Sequence, residues 1–133
     1  MTRFVIDAPA AIEVVRAGVM IPEAHQLVAP SLLRSQVLES LYRDFRHRET
    51  TSAEGRKLLE GFAGLRIRLL GDRMSRSTAW RIAERLGWDD TAHAEYLAVT
   101  QLQADALIAL DPALAASAAG VVPLSQLSEL LAS

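Results

Sequence analysis

Two aspartates, Asp7 and Asp111, are each the first polar residue after an apolar run, Phe4-Val5-Ile6 in one case and Ala106-Leu107-Ile108-Ala109-Leu110 in the other. If both runs are parallel strands joined by right-handed crossovers, their carboxyl ends share one edge of a sheet, where such folds bind ligands. Two carboxylates held close repel each other unless a cation or a proton lies between them, so the pair points to a divalent metal with oxygen ligands, Mg²⁺ or Mn²⁺. Each acid also suits a second role. Asp111 stands before Pro112 and Asp7 before Ala8, both good helix N-caps, and a capping acid can still bind a metal. With no cysteine in the chain, thiol nucleophiles, thiolate metal sites and disulfides are excluded, which suits a reducing cytosol.

Charge is divided along the chain. Residues 34–85 hold twelve Lys and Arg against seven Asp and Glu, a surplus of five, whereas the flanks hold two against nine. A basic centre between acidic ends suits a polyanion held beside metal-binding carboxylates, and it equally suits solvated helix faces.

Alternating elements position these residues. Arg3–Ile6 reads as a strand, Ala8–Ala17 as a helix closed by Gly18, Gln26–Ala29 as a second strand, and Pro30 as the first turn of a long helix to about His47. On that helix Leu33, Val37, Leu41 and Phe45 recur every four residues with Leu38 and Tyr42 alongside, a core stripe. Ser52 caps a helix to Phe62. The run 65–70 alternates apolar and basic, so Arg66 and Arg68 point the same way. Asp72 caps a helix from Arg73 to Leu86 ended by Gly87, and Asp90 caps another from Thr91 to Gln103. The run 106–110 reads as a strand buried on both faces, Val121-Val122 as one more short strand, and Ser125–Leu131 as a closing helix. The length of 133 residues fits one domain, residues 1–133. Nothing in it reads as a signal segment or a membrane span, and we expect a cytoplasmic protein.

Four stretches in order, Phe4-Val5-Ile6-Asp7-Ala8, then 28–38 (VAPSLLRSQVL), then Ala94-Glu95-Tyr96-Leu97-Ala98, then Ala109-Leu110-Asp111, resemble the PIN-domain family, most closely the VapC-type toxins. The resemblance spans nearly the whole chain. It implies a three-layer α/β/α sandwich around a small parallel sheet of four to five strands. It also implies a Mg²⁺-dependent ribonuclease that leaves a 5′-phosphate, usually homodimeric and inhibited by an antitoxin.

The acidic site of that family transfers in part. Asp7 matches its first aspartate and Asp111 its last. Gln36 stands where the family has a glutamate, with Glu39 the next acid, and His93 stands where an aspartate opens an Asp-Ala-x-Tyr pattern, with Asp90 three residues before it. Pro9 replaces a small hydroxyl residue. Three residues are about 4.5 Å along a helix, too far for Glu39 simply to replace Gln36. Gln36 keeps a carbonyl oxygen without the charge, and His93 favours Mn²⁺ over Mg²⁺ if it is a ligand.

The expectation is therefore a metal held by Asp7 and Asp111 with His93, assisted by Gln36 and Glu39, hydrolysing RNA phosphodiesters whose backbone phosphates meet Arg34, Arg66 and Arg68. An inactive binding module for an antitoxin or RNA, and a structural homo-oligomer pairing through Leu32-Leu33 and Leu38–Leu41, remain the alternatives.

Overall fold

The structure, a computed structural model, describes residues 1–132. In chain order the elements are β1 (Thr2–Ile6), α1 (Ala8–Ala17), β2 (His25–Pro30), α2 (Leu32–Arg46), α3 (Ser52–Ala63), β3 (Ile67–Leu70), α4 (Arg73–Leu86), α5 (Ala92–Gln103), β4 (Ala106–Ile108), α6 (Pro112–Ala118) and α7 (Leu127–Leu131). The four strands form one sheet in the order β3-β2-β1-β4, and every pairing is parallel.

Side-chain alternation along the strands divides the interior in two. Phe4 and Ile6 of β1, Leu27 and Ala29 of β2 and Ala106 and Ile108 of β4 face a core closed by α1, α2 and α3. Val5, Val28 and Leu107 face the opposite core, closed by α4, α5 and α6. The result is a three-layer α/β/α sandwich. Both faces of β1 are covered, which is why its apolar run is continuous rather than alternating.

Several local signals act as the sequence implies. Gly18 and Gly87 end α1 and α4 in the left-handed conformation, where a residue without Cβ meets no steric penalty. Asp72 caps α4, its carboxylate accepting the Ser75 N–H at 2.8 Å. That bond holds the Asp72 carboxyl below its ordinary range. A depressed folded-state value means that the stabilisation is present above the ordinary carboxylate range and is lost as pH falls through the depressed one. Asp72→Asn keeps the acceptor but cannot titrate. Thermal melts from pH 7 down to about pH 2.5 are expected to show a shallower acid-side loss for Asp72→Asn than for the parent; parallel curves would remove Asp72 from the acid response.

Other boundaries differ from expectation. Pro30 ends β2 instead of opening α2, because the ladder continues past it through the Ser31 N–H to the Leu70 carbonyl at 2.9 Å. Thr51, not Ser52, caps α3, its hydroxyl accepting from the Glu54 N–H at 3.1 Å. Thr91 rather than Asp90 precedes α5, with no side-chain cap. Val121-Val122 forms no strand; among the described residues the ladder contact there is a Leu107–Leu124 bridge, since Pro123 has no N–H to donate. On α2, Leu33, Val37 and Leu41 are buried and Phe45 is half-buried, but Leu38 and Tyr42 point to solvent at 52% and 59% exposure.

Candidate active site

Asp7 follows β1, at the carboxyl edge of the sheet's interior, and is only 2% exposed. One carboxylate oxygen, Oδ1, accepts the Ala10 N–H at 3.0 Å and so caps α1, while Oδ2 accepts the Asp111 N–H at 2.9 Å. A single side chain thus ties the start of α1 to the loop after β4, although the two residues lie 104 positions apart. Burial pushes the Asp7 carboxyl up, opposed chiefly by the N–H groups of Asp111, Ala10 and Leu110, with the Asp111 charge adding to the rise.

Asp111 is half-buried and caps α6, its Oδ1 accepting the Ala113 N–H at 3.1 Å. Its Oδ2 faces His93 Nε2 at 4.0 Å. The other imidazole nitrogen lies 3.2 Å from the Ser117 hydroxyl, and the ring packs edge-on to Trp88. Asp111 is thus the link of the cluster: its backbone N–H meets Asp7 and its carboxylate faces His93.

Gln36 joins them indirectly. It lies one turn into α2, and its Oε1 accepts the hydroxyl proton of Tyr96 from α5 across the sheet edge. Tyr96 is buried at the family-like Ala94-Glu95-Tyr96 stretch, where it reads as a core aromatic; no local pattern marks its hydroxyl as part of the site. Burial, then the charges of Asp7 and Glu95, drives its phenol far above the usual range, so the hydroxyl keeps the proton that it donates to Gln36 Oε1. Gln36 is thereby oriented with its amide NH₂ turned away from Tyr96, and no protein acceptor is found for that NH₂ among the described residues.

Four other sequence candidates fall outside this cluster. Glu39 is exposed and its carboxylate binds Arg43 at 3.1 Å on the same face of α2. Arg66 precedes β3 and Arg68 lies near its start, so both line a groove of about 920 Å³ at the opposite, amino end of the strands, beside Met20 and His25. Arg34 is exposed in the first turn of α2, which does start at the carboxyl edge. Among the described residues no three His, Asp or Glu side chains converge as a ready-made metal cluster.

The donor set nevertheless suits a hard cation. A carboxylate offers about four lone-pair directions, and Asp7 and Asp111 each commit only part of theirs to N–H groups. Mg²⁺ commonly takes one or two protein carboxylates and completes its shell with water and substrate phosphate.

No family model and no curated protein matches this chain. Among solved structures it is similar to the crystal structure of PAE2754 from Pyrobaculum aerophilum, with a TM-score of 0.72 and 20% identity over 98% of this chain and 93% of that one. The likeness shows the fold: a three-layer α/β/α sandwich on a parallel sheet.

Proposed function

We propose that this chain is a PIN-like, VapC-type ribonuclease with a partly degenerate acidic site, in which Asp7 and Asp111 hold a divalent cation and RNA phosphodiesters are hydrolysed. The observation that carries the reading is the convergence of two aspartates, 104 residues apart, at the carboxyl edge of the sheet, one of them buried and bonded to the backbone of the other. Bound Mg²⁺ or Mn²⁺ supplies Lewis acidity and a water of lowered pKa. The chain's own residues hold, orient and donate. Asp7 and Asp111 provide the carboxylates, and His93 stands beside Asp111. Tyr96 fixes the Gln36 amide so that its NH₂ is available to a phosphate oxygen, the contact a glutamate at that position could not make. In a homodimer, Leu38 and Tyr42 are the exposed apolar residues of α2 available for pairing. No helix among the described residues is long and apolar enough to cross a membrane.

The test is cleavage of structured RNAs with Mn²⁺, with Mg²⁺ and in chelator. Cleavage is expected to require metal, to be faster with Mn²⁺, and to fall at least about a hundredfold in Asp111→Asn, the scale for an electrostatic group lost from a reacting site. Metal-independent cleavage, or cleavage that survives Asp111→Asn, would overturn the assignment. A second reading, binding of an antitoxin or RNA without turnover, is favoured by the engagement of Glu39 with Arg43, which leaves no carboxylate at the place of Gln36. A silent cleavage assay together with a small DNA-binding protein encoded in the neighbouring gene would select it.

A further inference from the structure

Helix α4 presents a surface that the acidic site does not use. Its inner side is Ser75, Thr78, Ala79, Ile82 and Ala83, all buried. On the outer side Trp80 is 67% exposed, the largest side chain left in solvent. Helical geometry puts Arg76 about 6 Å and Arg73 about 10 Å toward the amino end from Trp80, on the same face. The helix carries four arginines, Arg73, Arg76, Arg81 and Arg85, against Glu84, and none of the four forms an ion pair among the described residues. Arg81 donates to the Thr78 hydroxyl at 3.2 Å. The acids nearest the amino half are the capping Asp72, whose carboxyl feels Arg76, and the half-buried Glu95, which shares a small cleft with Arg76.

The amino end of α4 follows β3, so it emerges at the same carboxyl edge as Asp7 and Asp111. That cleft is lined by Pro30, at the end of β2, and by Arg76, which joins the face of α4 to the strand ends. An exposed indole costs solvation, and an unpaired basic helix repels other basic surfaces. A partner that answers both terms is negatively charged and carries flat π-faces.

We propose that the α4 face formed by Arg73, Arg76 and Trp80 is a single-stranded RNA platform, with the arginines on backbone phosphates and the indole stacked on a base. It rests on the ribonuclease reading only for the choice of RNA as ligand. Stacking of this kind tolerates any base, and the phosphate contacts carry the salt dependence.

The experiment is anisotropy of a labelled, unstructured 12-nucleotide RNA in chelator, where no cleavage occurs. Trp80→Ala is expected to weaken binding roughly tenfold, within the range for one base–aromatic stack, while Trp80→Phe retains most of the affinity. The Arg73→Gln/Arg76→Gln pair is expected to reduce the slope of log affinity against log salt by about 1.4, two phosphates on a single strand, and Trp80→Ala to leave that slope unchanged. In a Trp88→Phe background, Trp80 fluorescence is quenched by the same RNA, a readout that does not depend on replacing Trp80. Binding within twofold of the parent in Trp80→Ala, or absence of quenching, overturns the platform. A dimer that becomes a monomer in Trp80→Ala with RNA affinity unchanged reassigns the face to protein pairing and also overturns it. Because binding is read without metal, failure of cleavage leaves this result standing, and loss of the stacking effect with cleavage intact removes the platform alone.

Discussion

Asp7→Ala is expected to lower the stability of the fold by about 3 kcal/mol and to abolish metal-dependent cleavage. The first effect follows from the two N–H groups, of Ala10 and Asp111, that would lose their acceptor in a buried setting, each costing about 1–3 kcal/mol, partly offset by relief of the buried charge. For a chain of this size the melting temperature falls by about 10 °C. Asp7→Asn keeps one acceptor but turns an amide NH₂ toward the second N–H, so about half that loss is expected. Asp111→Asn separates the two effects. Asparagine caps a helix about as well as aspartate, so its melting temperature stays close to the parent's while its Mg²⁺ affinity collapses. Differential scanning calorimetry and metal titration on the three variants check the pattern, and an Asp7→Ala protein that melts like the parent would show that the Asp7 bridge is dispensable.

The raised Asp7 carboxyl has a consequence of definite sign. Its folded-state value lies above the ordinary 3.8, so the burial cost is absent where both states are protonated and is incurred as pH rises through the window between the two values. Mn²⁺ should therefore raise the melting temperature more at pH 7 than at pH 4.

His93→Asp has the largest expected gain. The imidazole already faces Asp111 Oδ2, so a carboxylate at this position adds a hard oxygen donor beside Asp111. Mg²⁺ affinity should rise about tenfold or more, the order of one charge-assisted contact, and cleavage should accelerate with it. In chelator the variant should melt lower, because three acids then crowd together and the contacts of His93 with Ser117 and Trp88 are lost. Adding Gln36→Glu should tighten Mg²⁺ further. By contrast, its charge should weaken RNA binding measured without metal, because the amide NH₂ is gone. Isothermal titration with Mg²⁺, beside RNA anisotropy in chelator, reads the two directions separately. An unchanged Mg²⁺ affinity in His93→Asp would make His93 a packing residue.

The two aspartates were legible because each combines three local signals: the end of an apolar run, a helix start and an acid suited to both. Tyr96 lies within the Ala94-Glu95-Tyr96 run, but its bond to Gln36 spans 60 positions and leaves no periodic trace. Glu39 carried a warning in Arg43 four residues later, the spacing at which a helix pairs opposite charges. Arg66 and Arg68 share a side as the alternation implies, but their place at the start of a parallel strand puts them at the end away from the acids. That follows from the same edge rule that brings Asp7 and Asp111 together. Leu38 and Tyr42 sit beside the buried stripe in sequence and outside it in angle, a distinction that a four-residue repeat blurs as it drifts around the helix.

The order in which a ribosome releases this chain matters for the pairing of β1. Of the four strands it is the first to leave but is central, with β2 on one side and β4, about a hundred residues later, on the other. Until residues 106–108 emerge, one flank of β1 has open backbone groups and Asp7 lacks its bond from Asp111. Such distant closure is slow to find and leaves an unpaired strand edge exposed in the meantime. A nascent chain stalled before Ala106 is thus a species without its acidic pair, and β4, the last of the four strands in chain order, is the one that both covers the open flank of β1 and brings Asp111 to Asp7.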